Sequence, residues 1–211
     1  MQLCRCSRCT LSEVNIPRKR LVVAALSLAL VGVGFTACSG GKDAVDQGAG
    51  SQFRYVESTA KGTVIAEGKR KAAGPVEGEL LAGGTYQLAS DKGSVVVLNF
   101  LASWCGPCQN ETPQFDQLYK QRKASGTKFV GLDVKEASRD EAQSWIEAKG
   151  ISFPIVYDEK AKSAQQLGKF PLQSLPATVL VDKAGRVAAV YVGSVLPADL
   201  TPVLDELSKE T

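Results

Sequence analysis

Among its 211 residues the chain contains no histidine, and its one methionine is Met1. Without imidazole there is no Ser-His-Asp or Cys-His nucleophile pair and no H-E-x-x-H zinc site. Gln109 stands where a c-type haem motif needs histidine after Cys105-x-x-Cys108, so that attachment is excluded too. Catalytic proton transfer is left to carboxylates, lysine, tyrosine or cysteine.

A basic excess is also missing, although the formal charge of +3 suggests one. Arg5, Arg8, Arg18, Lys19 and Arg20 precede residue 21, against Glu13 alone, and residues 21–211 carry 20 basic and 21 acidic side chains. A nucleic-acid-binding domain would keep its positive charge. With 44% hydrophobic and 22% charged residues the composition is globular. The length suits one domain with accessory segments, and no internal repeat is present.

The basic cluster is followed by Leu21–Ala37, which holds no charge, and then by small residues. That order is a secretory signal. The run ends Phe35-Thr36-Ala37-Cys38, which resembles a bacterial lipobox with Phe35 in place of the usual aliphatic. Cleavage before Cys38 would leave a lipidated N-terminal cysteine. The alternative is an uncleaved signal anchor, but seventeen residues at ~1.5 Å each reach about 26 Å, short of a ~30 Å hydrocarbon core. Both readings put the domain outside the cytoplasm, on the cell membrane. Cys4, Cys6 and Cys9 lie upstream of the cleavage point and receive no function.

The expected organisation is a signal peptide over 1–37, a lipid-anchored flexible tether over 38–52, short strands over 53–74, and a folded domain over 75–211. Ser39–Gln52 is rich in Gly, Ala, Ser and Asp, as a tether is. Phe53–Val56, Gly62–Ala66, Glu79–Ala82 and Thr85–Leu88 read as short strands between Gly-containing turns. Val95–Phe100 is a continuous β-prone run, the mark of a strand buried on both faces. A helix over Cys105–Ala124 places Phe115, Leu118 and Tyr119 on one face, with a kink expected at Pro113. Lys128–Val134 completes a βαβ unit. Ser138-Arg139-Asp140-Glu141 is a capping box for a helix stopping at Gly150. Beyond it lie a strand over Ile151–Tyr157, a short helix over Ala161–Leu167, and an antiparallel hairpin of Thr178–Val181 with Val187–Val192. A last helix from Pro197 to Lys209 carries Leu200, Val203, Leu204 and Leu207 as its stripe. The fold class is α/β, a mixed central sheet flanked by helices.

Trp104-Cys105-Gly106-Pro107-Cys108 sits where the buried strand hands over to the helix. Two intervening residues put both sulfurs on one helical turn, within bridging reach. At the helix N-terminus, free N–H groups and the dipole favour the Cys105 thiolate, the form that attacks disulfides. Cys108 lies deeper and can resolve a mixed disulfide. Zinc usually needs four ligands, and two cysteines without histidine do not supply them. A bridge over so short a loop is a poor staple. Redox exchange, with no cofactor beyond the cysteine pair and no metal, is the expectation.

On these residues Val95–Cys108 resembles the core motif of the thioredoxin superfamily. The lipobox, the extra N-terminal strands and a helix-strand insertion at about 138–157 resemble its TlpA-like, redoxin-related (AhpC/TSA) branch of thiol–disulfide oxidoreductases. The resemblance covers roughly residues 75–211. It implies a thioredoxin-like fold, a substrate-facing cis-proline loop at Leu175-Pro176, and a proton relay at Glu111, three residues after Cys108. Thioredoxins often carry a buried Asp where this chain has Asn99, which cannot titrate. If the Glu111 face is buried, desolvation raises its pKa. The branch implies protein thiol or disulfide partners, with apocytochrome c cysteines in cytochrome c maturation, and a membrane thiol electron donor or acceptor. Disulfide formation in secreted proteins is the alternative direction. A peroxiredoxin is less favoured, because the P-x-x-x-T-x-x-C approach is absent. A Cu(I) chaperone would have two thiolates and no histidine. Trp104 is expected to shield the site and Trp145 to be core.

Overall fold

The computed structural model describes residues 57–58 and 62–211. The expectations for Cys4, Cys6, Cys9, the signal, Cys38, the tether and the strand at Phe53–Val56 lie outside these residues. Nine strands are described, β1 (Glu57–Ser58), β2 (Gly62–Val64), β3 (Glu77–Glu79), β4 (Thr85–Gln87), β5 (Val96–Leu101), β6 (Lys128–Val134), β7 (Ile155–Asp158), β8 (Ala177–Val181) and β9 (Val187–Val192). The helices are α1 (Gly106–Arg122), α2 (Arg139–Lys149), α3 (Lys162–Gln166) and α4 (Pro197–Lys209). Seven strands form one sheet in the order β1-β2-β9-β8-β5-β6-β7, and β3 and β4 pair apart from it as a small antiparallel hairpin.

At the centre, β5 runs parallel to β6 and antiparallel to β8. Every β5 residue is buried, as its unbroken apolar run requires. Period-two alternation divides the core. Leu98 and Phe100 face one cluster with Val130, Leu132 and Phe170. Val97 and Leu101 face the other, with Phe115, Phe129, Leu180, Leu200 and Leu204 from α1, α4 and neighbouring strands.

Helix α1 starts where Cys105 caps it and continues through Pro113. Its buried face holds Cys108, Glu111, Thr112, Phe115 and Leu118. Ser138 caps α2 by accepting the Glu141 N–H at 3.2 Å, and Gly150 ends that helix in the left-handed conformation, φ 63°. Gly62 has a different reason. A Cβ there would lie 2.1 Å from the Tyr191 ring, so only glycine lets β2 pass over it.

Two strands differ from expectation. β7 begins at Ile155, not Ile151. Pro154, without an N–H, contributes only its carbonyl, which accepts from Gly131 N at 2.9 Å. β3 lies at Glu77–Glu79 rather than Glu79–Ala82, because Gly83 and Gly84 turn the chain after Leu80. The folded unit is tied off by a buried Arg70, whose guanidinium bonds Asp182 at 3.1 Å and Glu210 at 2.5 Å.

Candidate active site

The C-terminal ends of β5, β6 and β9 and the start of β8 lie at one end of the sheet, through the Leu101↔Asp133, Phe100↔Ala177 and Ala177↔Val192 pairs. The segments that continue from them carry the sequence-predicted residues. Cys105 and Cys108 form a disulfide with Cα atoms 5.2 Å apart. Cys105 is 5% exposed and Cys108 fully buried, so the first sulfur is the one nearer solvent. The Cys105 Sγ also accepts the Cys108 backbone N–H at 3.2 Å. No acidic residue stands in the first turn of α1, so the positive end of the helix dipole acts on that sulfur without local neutralisation. Gly106 and Pro107 are exposed on the turn between the two.

Trp104, the residue before Cys105, is 58% exposed. Its indole N–H donates to the Lys135 carbonyl at 3.0 Å. Lys135 holds φ at 58°, a left-handed turn just past β6. The next residue, Glu136, accepts the Ser103 N–H at 2.7 Å and the Ser103 hydroxyl at 2.9 Å. The approach to Cys105 is thus strapped to the end of β6. Trp145 is half-buried against the second core cluster.

The Leu175–Pro176 bond is cis. Leu175 is half-buried, and the Pro176 carbonyl accepts the Gly193 N–H at 2.9 Å, joining the loop before β8 to the loop after β9.

Glu111 is 1% exposed. Burial raises its pKa, and hydrogen bonds from the Val195 N–H, Asn99 and Ser194 act against that rise. The Val195 N–H donates to Oε2 at 2.6 Å, and Asn99 Nδ2 donates to Oε1 at 2.9 Å and to Thr178 Oγ1 at 3.1 Å. Cys108 and Glu111 share the buried face of α1 at i and i+3. A buried carboxyl held by donors yet raised by desolvation is able to take up and return a proton.

Sequence reasoning missed several participants. Val195 acts through a backbone N–H, which leaves no mark in a sequence. Thr178 reads in the sequence as a strand residue alone, although its place opposite Asn99 is set by register. Asp133, near the end of β6, is fully buried with neither carboxylate oxygen bonded. Its pKa is pushed up to about 8 by burial first, then by Glu136 and Asp158. Among the described residues no group of three or more Cys, Asp or Glu side chains is placed to hold a metal ion.

A capping cysteine, a buried partner one turn on and a cis-proline loop at the same sheet end define a thioredoxin-like dithiol–disulfide enzyme. Residues 70–190 match the AhpC/TSA family, and the chain belongs to it. It is 32% identical over 127 residues to the thiol-disulfide oxidoreductase ResA of Geobacillus kaustophilus, covering 60% of this chain and 71% of that one. Identity to ResA of Bacillus subtilis is 33% over 112 residues, covering 53% and 60%. Among solved structures, a DsbF homologue from Corynebacterium diphtheriae superposes with a TM-score of 0.67 at 32% identity, over 74% of this chain and 99% of that one. A secreted thiol-disulfide isomerase from Corynebacterium glutamicum gives 0.68 at 29% identity, over 75% and 98%. The chain is a thiol–disulfide oxidoreductase of this kind.

Proposed function

We propose that the protein is a membrane-tethered, extracytoplasmic disulfide reductase acting on protein substrates, with oxidised apocytochrome c cysteines as the substrate class. The observation that carries the reading is the asymmetry of the pair: Cys105 caps a helix nearer solvent while Cys108 is sealed beside a buried carboxyl. The Cys105 thiolate attacks one sulfur of a substrate disulfide, forming a mixed disulfide and releasing the other sulfur as thiolate. Glu111 accepts the proton of the Cys108 thiol. The new thiolate attacks Cys105 Sγ, the internal disulfide closes, and the second substrate sulfur departs with the proton returned from Glu111. Two electrons have moved to the substrate, and a membrane thiol donor restores the dithiol.

The Leu175–Pro176 loop presents backbone to the substrate segment, and the exposed Trp104 borders it. The signal-like Leu21–Ala37 run and Cys38 support the lipid tether. Among the described residues no helix is long and apolar enough to cross a membrane. The opposite direction, oxidation or isomerisation of secreted proteins, is favoured by the isomerase among the structural relatives and uses the same atoms in reverse.

The reduction potential of Cys105–Cys108 decides between them. Dithiol enzymes span roughly −270 to −120 mV, about 7 kcal/mol for two electrons. A value near the lower end supports the reductase, and one near the upper end replaces it with an oxidase. Cys108→Ser should trap apocytochrome peptides as mixed disulfides on Cys105, and a variant that traps none removes that substrate class. Labelling of Cys38 by radioactive palmitate in cells tests the tether, which an unlabelled, unprocessed chain rejects.

A further inference from the structure

The side chain of Asn99 poses a question that the dithiol chemistry leaves unanswered. It is 2% exposed, and both of its hydrogen bonds run through Nδ2, to Glu111 Oε1 and Thr178 Oγ1. Its Oδ1 is buried with no donor. An unpaired buried carbonyl costs free energy, and native proteins rarely keep one without a reason.

At Oε1 the arrangement matches one protonation state only. An ionised Glu111 is purely an acceptor, and Nδ2 supplies its donor. Once Glu111 takes a proton it must also donate, and the amide end facing it is then the wrong one. Oε2 is engaged by the Val195 N–H, where the Ser194 hydroxyl, also bonded to Glu111, is a competing acceptor for the acid proton that a flat Asn99 signal would reveal. Half a turn about the last Asn99 torsion exchanges the ends. That torsion is broad and roughly two-fold, so both orientations are accessible. In the turned state Oδ1 accepts from the Glu111 acid, and the Thr178 hydroxyl, which can donate or accept, donates to Oδ1. Nδ2 then occupies the unpaired slot. Either orientation leaves one amide end without a partner, so the proton on Glu111 tips the balance.

We propose that Asn99 is a positioning residue that turns its carboxamide to match the protonation state of Glu111, making proton uptake and return by that carboxyl readily reversible. The proposal rests on the relay reading of Glu111. The groups facing Glu111 are Asn99 and, behind it, Thr178 from the sheet, Val195 and Ser194 from the loop after β9, and Cys108 on its own helix; apart from Cys108 none of these side chains titrates. An aspartate at 99 would add a second buried charge, and a leucine would serve neither state.

The test is NMR on the full chain in the dithiol form, with labelled Asn side-chain nitrogen and Glu carboxyl carbon, across a pH titration. The Asn99 carboxamide signals should shift with the same midpoint as the Glu111 carboxyl. Carboxamide signals that stay flat through that midpoint overturn the proposal. Asn99→Leu supplies a second reading. A one-sided donor to the carboxylate would, when lost, raise the Glu111 midpoint by about one to two pH units, the worth of a charged hydrogen bond. Loss of a two-state partner should move it by less than about half a unit, and the full rise overturns the proposal. Insulin-disulfide reduction by the wild-type sample is scored separately. A shared midpoint without reductase activity keeps the Asn99 role and rejects the reductase reading, whereas active protein with a flat carboxamide does the reverse.

Discussion

Of the carboxyl groups buried in this domain, Glu111 and Asp133 have opposite surroundings. Glu111 meets the Val195 N–H, Asn99 and Ser194. Asp133 meets none, and its two oxygens lie unbonded near Glu136 and Asp158. Both pKa values are raised, and in both desolvation is the first cause. The remaining causes differ in sign. Donors pull Glu111 back towards ionisation, while neighbouring carboxylates push Asp133 further up to about 8. Burial alone therefore does not make an acid useful. Glu111 can hold a charge or lose it at modest cost, and it shares a helix face with Cys108. Asp133 is kept neutral near pH 7 by an environment that offers its anion nothing.

The sharpest way to break this comparison is to neutralise each group in turn. Glu111→Gln should lower the disulfide-reduction rate by about 100-fold, at the low end of what a positioned base contributes, and remove the inflection in the pH profile that titration of this carboxyl produces. Asp133→Asn should leave rate and profile within about twofold. Stopped-flow reduction of a peptide disulfide measures both. Equal losses would put Asp133 in the chemistry, and an unaffected Glu111→Gln would remove the relay.

Much of the working half of this contrast was legible in the sequence, and the other half was not. Cys105-x-x-Cys108 after an unbroken apolar strand announces the dithiol, and i,i+3 spacing puts Glu111 on the Cys108 side. The parallel β5–β6 pair, the Ser138 cap and the Gly150 stop all obey local rules. What escaped depends on contacts distant in the chain. The Val195 N–H reaches Glu111 across 84 positions with no side-chain signature. Asp133 interrupts Val130-Gly131-Leu132 as a strand-end polar residue usually does. Its burial depends on Leu101 and Tyr157 in adjacent strands. Trp104 stays half open because its indole is drawn to the Lys135 carbonyl, a position created by a left-handed residue that no β-branched or Gly pattern foretold.

Stability gives the next largest effect, and here Asp133 should dominate. Its folded pKa lies above the unfolded carboxylate value of 3.8. The folded state therefore binds more protons, its advantage is full below that value, and it is lost as pH rises through about 8. Asp133→Asn should raise stability at pH 7 by about 2–3 kcal/mol, less than the shift implies because an amide is also left unpaired. The gain should shrink to near zero by about pH 4. Urea unfolding at several pH values measures it, and a gain that does not depend on pH would contradict the neutral-acid reading.

A smaller effect tests the cause of the Asp133 shift. Glu136→Gln keeps the shape of the strap to Ser103 and deletes one repelling charge. The Asp133 midpoint, followed by carboxyl NMR, should fall by about one unit and remain above the ordinary range, since desolvation is untouched. A fall all the way to the ordinary range would make repulsion, not burial, the leading cause.

The smallest expected effect lies on the Glu111 side. Thr178→Val removes the hydroxyl that accepts from Asn99 Nδ2 at 3.1 Å, while keeping the branched shape of a β8 residue paired between Asn99 and Tyr191. One neutral buried hydrogen bond is at stake, so thermal or urea unfolding should register a loss of about 1 kcal/mol. Glu111 keeps its bonds from Val195 and Asn99, so its midpoint should move by less than about half a unit and the reduction rate by less than about threefold. The same substitution has no route to Asp133, which lies two strands away with β5 between them. A Thr178→Val protein whose Asp133 midpoint moved as far as that of Glu111 would show the two buried acids to be one coupled system, and the contrast between them would have to be redrawn.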